Sequence, residues 1–142
     1  MQMKKTFSVI FAALVLCSSF MPVSSSQFQV TLTACDLFVQ NNTDQNLASA
    51  NFVSNLDNVT LFNIAPFGGT NAGILQFDTA DPVTITLTLS APLPGGAIAR
   101  IYNHGANNQV GTINIAGGAS SGSTRLYPPF ATDAFWVIVD PN

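Results

Sequence analysis

One histidine, two cysteines, seven aspartates and no glutamate form the reactive inventory of this 142-residue chain. Nucleophilic catalysis needs a Ser, Thr or Cys beside a base, with a third group to orient that base. The only imidazole is His104, in the turn-like stretch Asn103-His104-Gly105-Ala106-Asn107-Asn108. Ser121-Gly122-Ser123 is not a nucleophile elbow, because no strand-to-helix context surrounds it. Paired carboxylates would serve glycoside hydrolysis. Here Asp36, Asp44, Asp57, Asp81, Asp133 and Asp140 are scattered at turns, where an aspartate ordinarily bonds nearby backbone. Asp78 and Asp81 are close in sequence but read as one turn. A zinc site wants three or four His, Cys or carboxylate ligands, and the histidine and cysteines are too few. A calcium site built from turn carboxylates would need an Asp-x-Asp-x-Asp spacing that does not occur. The expectation is a protein with no catalytic residue, no cofactor and no metal.

Binding is the other chemistry to weigh. Carbohydrate modules built on β-sheets stack Trp or Tyr rings against sugars and surround them with Asn, Asp and Arg. Tyr102-Asn103-His104 and Arg125-Leu126-Tyr127 have that character, so Tyr102, His104 and Tyr127 are the candidate ligand contacts. Trp136 lies in the most apolar run, Phe135-Trp136-Val137-Ile138-Val139, and is assigned to the core of a central buried strand.

Short strands must position these residues. Val83, Ile85, Leu87 and Leu89 alternate without error with Thr84, Thr86, Thr88 and Ser90, giving one face to a core and one to water. Phe28, Val30, Leu32 and Ala34 alternate with Gln29, Thr31 and Thr33; the phase then shifts near Cys35-Asp36, which predicts a bulge or a sheet crossing. Further strands are expected over 47–54, 59–64, 74–77, 97–102, 111–115 and 123–127, with turns such as Asn41–Asn46 and Pro92-Leu93-Pro94-Gly95-Gly96 between them. Nine or ten strands at spacings of roughly 8–12 residues, without a 3.6-residue period, predict a single antiparallel β-sandwich, immunoglobulin-like or jelly-roll.

Lys4 and Lys5, the apolar run Phe7–Leu16 and the small residues before Gln27 form the three parts of a secretory signal peptide. The expected organisation is a cleaved signal at 1–26 and a sandwich domain at 27–142, secreted or held at a bacterial cell surface. Leu14-Val15-Leu16-Cys17 offers a lipobox alternative that departs from the pattern at Leu16. No apolar stretch after the signal is long enough to span a bilayer as a helix. Both lysines leave with the signal, so two arginines face seven aspartates and the charge becomes −5. That balance excludes a nucleic-acid partner, which needs a basic footprint. Cys35 is then the one cysteine left, and is expected to be a small buried hydrophobe.

The second half, residues 82–140, resembles the immunoglobulin-like and Calx-β-like sandwich modules of bacterial surface proteins. The resemblance is carried by Leu87-Thr88-Leu89-Ser90-Ala91-Pro92-Leu93-Pro94-Gly95-Gly96 and by Ile113-Asn114-Ile115-Ala116-Gly117-Gly118-Ala119-Ser120-Ser121. It implies a non-catalytic spacer, adhesive or fibre module and transfers no functional residue. The acidic calcium-ligand clusters of Calx-β modules have no counterpart here.

Charged residues make up only 8% of the chain, against about 25% in an ordinary soluble domain. Lys and Glu, which blunt exposed sheet edges, are therefore scarce. The leading expectation is a structural or adhesive protein that associates with itself or with other extracellular proteins by strand pairing. Phe28, Val30 and Leu32 mark the candidate assembly strand. A module that binds neutral polysaccharide is the alternative.

Overall fold

The computed structural model describes residues 32–78, 80–103, 108–127 and 134–142. The signal segment, Cys17, Phe28, Val30, His104 and Asp133 lie outside the described residues. Nine strands are described: β1 (Leu32–Asn41), β2 (Leu47–Val53), β3 (Asn58–Ile64), β4 (Gly69–Asp78), β5 (Val83–Leu89), β6 (Ala97–Asn103), β7 (Asn108–Ile115), β8 (Ser121–Leu126) and β9 (Ala134–Pro141). They form two packed sheets, one of five strands in the order β4-β1-β9-β6-β7 and one of four in the order β3-β2-β5-β8.

Period-2 patterning decides which side chains meet between the sheets. In β5, Val83, Ile85, Leu87 and Leu89 are buried while Thr84, Thr86 and Thr88 face outward. Cys35, Leu37 and Val39 of β1 and Phe135, Val137 and Val139 of β9 supply the opposite wall. Phe77 and Phe135 touch within that core, with ring centroids 6.2 Å apart. Cys35 is fully buried among these residues, as expected of a small apolar side chain.

Three features depart from the sequence expectation. First, β1 and β9 run parallel, from Asp36 opposite Ala134 to Asn41 opposite Val139. Parallel neighbours need a long connection, and here the rest of the domain provides it between the first and last described strands. Second, β1 pairs with β4 in unbroken register from Leu32–Asp78 to Asn41–Gly69, with no bulge near Cys35-Asp36. The inner face is set by Cys35, Leu37 and Val39, while Ala34 is exposed. Third, β4 begins at Gly69, although Gly69–Gly73 has loop composition. The β1 ladder holds that stretch extended, and pairing overrides its weak strand propensity.

One edge of the sandwich is sealed by side chains. Asn71 Nδ2 donates to Phe62 O at 3.2 Å, linking β4 to β3 across the two sheets. Gln76 N–H donates to Asp57 Oδ2 at 3.1 Å, and Ser54 Oγ donates to Gln76 O at 2.6 Å. Turn residues of the β2–β3 hairpin thus occupy backbone groups that an edge strand would otherwise offer to another chain.

The β3–β4 arch carries an exposed ring in an unusual backbone state. Phe67 has φ of 58° and is 79% exposed. Its N–H donates to Thr43 O at 2.9 Å, and Gly68 N–H donates to Asn41 O at 2.7 Å, which holds the arch down. A left-handed L-residue costs roughly 1–2 kcal/mol, whereas glycine there costs about 0.5–1 kcal/mol of extra chain entropy. Phe67→Gly is expected to leave stability unchanged or raise it by up to about 1 kcal/mol in urea denaturation. A clear loss of stability would show that the ring packs.

Candidate functional site

Because Leu37 and Val39 of β1 point into the core, Phe38 and Gln40 point out of the five-stranded sheet. The same alternation turns Trp136 and Ile138 of β9, and Arg100 and Tyr102 of β6, onto that outer face. The registers then place Phe38 beside Trp136 and Trp136 beside Tyr102. Three aromatic side chains therefore form one row across three adjacent strands. Phe38 is 40% and Trp136 39% exposed, and their rings meet edge to face with centroids 6.5 Å apart. Such geometry suits the ring quadrupoles and fixes both side chains. Ile74 of β4, 60% exposed, extends the apolar surface beside Asp36.

A polar chain lies beside the row, one and two same-face steps along the strands. Gln40 Nε2 donates to Asn42 Oδ1 at 2.9 Å, and Asn42 Nδ2 donates to Asp140 Oδ1 at 2.8 Å. Arg100 Nη1 donates to Asp140 Oδ2 at 2.7 Å, so a guanidinium and a carboxylate close the chain as an ion pair. Asn42 N–H also donates to Val139 O at 2.8 Å, which fixes the Asn42 backbone against β9. The pair is partly exposed and adds little to stability. Its effect is positional: Gln40 and Arg100 flank Ile138 in the row next to the rings, and Asn42 and Asp140, one row further out, tie the two together.

This arrangement revises the sequence expectations. Trp136 is not a core residue. It sits in a central strand, but Phe135, Val137 and Val139 fill the core while Trp136 faces away. Of the candidate ligand contacts, Tyr102 belongs to the aromatic row, and Tyr127 does not join it. Tyr127 follows β8 of the other sheet, where the Arg125 guanidinium lies 5.5 Å from its ring centroid. Arg125, Thr84 and Pro82 there line an open cleft of about 260 Å³. Within β1, Leu32 pairs with Asp78 of its own chain, as do Thr33 with Phe77 and Ala34 with Gln76.

Phe38, Gln40, Asn42, Arg100 and Asp140 escaped sequence reasoning. One signal was available: a large aromatic placed between two residues of the buried set must emerge on the far face, as Phe38 does between Leu37 and Val39. The polar chain left no local signal, since Asn42 and Asp140 are far apart along the sequence.

The aspartates near turns act on backbone and neighbouring side chains. Asp57 Oδ1 accepts from Asn58 N–H at 2.8 Å, Asp78 Oδ1 accepts from Ala80 N–H at 3.0 Å, and Asp81 accepts from the Asn55 amide. Among the described residues, no three His, Cys, Asp or Glu side chains gather as metal ligands, and no helix is long and apolar enough to cross a membrane. No protein-family model, curated protein or solved structure matches the chain.

Proposed function

We propose that this is a non-catalytic extracellular protein with an adhesive role, and that its contact surface is the outer face of the five-stranded sheet. The observation that carries the reading is the outward-facing row Phe38–Trp136–Tyr102 in the middle of that sheet, with Phe38 and Trp136 exposed and Tyr102 half-buried. Single exposed apolar residues are ordinary. Aligned rings flanked by a fixed polar chain are the anatomy of a contact surface, with an apolar centre and a polar margin.

Export through a signal peptide at 1–26 is part of the same proposal, and a low-charge surface suits adhesion to neutral material. Self-assembly by strand pairing is the second reading. The Asn71, Asp57 and Ser54 contacts disfavour it at the β3–β4 edge; residues 27–34 remain the segment to test, beside the edge strands β7 and β8.

The test is retention of added mature protein on washed envelopes of the producing cells. Phe38→Thr/Trp136→Thr keeps residues that favour strands while removing both rings, and is expected to lower retention at least tenfold. Equal retention of the variant and wild type would overturn this use of the face. Loss of retention, with sedimentation unchanged on deletion of residues 27–34, would set aside strand pairing.

A further inference from the structure

We propose that the outer face of the five-stranded sheet binds a neutral polysaccharide, laid across the strands along Phe38, Trp136 and Tyr102 with its hydroxyls on the Gln40–Asn42–Asp140–Arg100 chain. This rests on the contact reading of the same face and names what that face holds.

Spacing is the first argument. Neighbouring strands lie about 4.8 Å apart, so Phe38 on β1 and Tyr102 on β6, separated by β9, stand roughly 10 Å apart across the sheet. That is the repeat of two sugar residues, so three successive rings of a polymer would meet the three side chains. Pyranose rings carry C–H groups on their faces and hydroxyls around their rims. A row of aromatics with Gln40 and Arg100 on either side of Ile138 next to it, and Asn42 and Asp140 beyond, offers apolar faces and polar partners on one surface.

Pre-organisation is the second. The Phe38–Trp136 contact fixes the rings, and the hydrogen bonds from Gln40 to Arg100 fix the polar side chains before any ligand arrives. Less side-chain freedom is then lost on binding. Both groups of the ion pair stay reachable, with side-chain exposures of 41% for Arg100 and 29% for Asp140.

Charge is the third. Arg100 is offset by Asp140 at 2.7 Å, and among the described residues Asp36 is the other charge bordering the row, so these groups offer no attraction to a polyanion.

Trp136 is the single tryptophan of the sequence, so the unmodified protein carries its own probe. Affinity electrophoresis in gels containing galactomannan, xylan, hydroxyethyl cellulose or dextran, with alginate as the anionic control, identifies a binding polymer. Titration with its oligosaccharides is then followed by tryptophan fluorescence. The expected result is retardation by at least one neutral polymer, none by alginate, and a saturable change in Trp136 emission. Trp136→Thr should weaken retardation at least tenfold, and Trp136→Phe should restore part of it. Arg125→Gln, on the other sheet, should change nothing.

Retardation without any change in Trp136 emission would overturn the placement of the ligand, and so would retardation insensitive to both Trp136→Thr and Phe38→Thr. Absence of retardation by every neutral polymer would overturn the ligand class. If envelope retention persisted in that case and disappeared after protease treatment of the envelopes, the face would be a protein-contact surface and the adhesive reading would stand. Absence of both retardation and envelope retention for the wild-type protein would remove both.

Discussion

Alanine at position 96 is expected to destabilise the domain by about 4 kcal/mol or more, among the largest effects of a single methyl group. Gly96 closes the turn between β5 and β6 with φ of 79°. Its N–H donates to Leu93 O at 3.0 Å, and its carbonyl accepts from Asn142 N–H at 3.2 Å. Gly118 N–H donates to the same Leu93 carbonyl at 2.9 Å, so this turn is tied to the one between β7 and β8. A Cβ on residue 96 would stand 2.3 Å from Ile115 O and 2.9 Å from Gly117 N. Both are backbone atoms and cannot swing aside as a side chain does. Gly118→Ala is the control: φ is 80°, but nothing lies within 4 Å of the added carbon. That variant should lose only the left-handed penalty of roughly 1–2 kcal/mol. Urea denaturation of the two variants checks the contrast, and equal losses would show that the clash is relieved elsewhere.

Asn41→Ala should lower stability by about 3 kcal/mol, because it strands several buried polar groups at once. Asn41 is fully buried at the end of β1. Its Nδ2 donates to Gln45 O at 2.8 Å and to Ile64 O at 3.1 Å. Its Oδ1 accepts from Thr43 N–H at 3.1 Å and from the Thr43 hydroxyl at 2.8 Å. One side chain therefore joins the β1–β2 crossing to the end of β3. Asn41→Asp keeps the acceptor and loses both donors, so it should be at least as damaging as alanine. Thr43→Val, which removes one hydroxyl and keeps the shape, should lose about 1–2 kcal/mol. The double variant Asn41→Ala/Thr43→Val should lose less than the sum of the singles, since the two residues share a bond. An additive result would mean that they act independently.

How much of this was legible in the sequence depended on whether one face of a strand differed from the other. In β5 the Val-Thr-Ile-Thr-Leu-Thr-Leu run separates its faces cleanly, and the strand lies where the pattern placed it. In β9 both faces are apolar, so the pattern revealed a central strand and concealed that Trp136 looks outward. Asn41–Asn46 reads as a surface turn by composition, yet Asn41 and Thr43 are buried because their side chains replace missing backbone partners at a sheet crossing. Of the binding face, Tyr102 was visible as a candidate and its neighbours were not. Phe38, Trp136 and Tyr102 meet only through the β1–β9 and β9–β6 registers, and long-range pairing of that kind has no trace in local residue order.

The parallel pair at the centre of the five-stranded sheet has a mechanical meaning. Chain enters β1 at its Leu32 end and leaves β9 beyond Pro141, at opposite ends of a ladder running from Asp36–Ala134 to Asn41–Val139. Tension drawn between those two points acts along the strands. It loads the whole ladder in shear rather than peeling one hydrogen bond at a time, and β6 grips β9 from the other side through seven further residue pairs. Forced extension is governed by the rate of rupture rather than by equilibrium stability. A protein tethered at one end and pulled through the other would resist as a clamp, and its hold on a surface would outlast what its marginal folding free energy alone suggests.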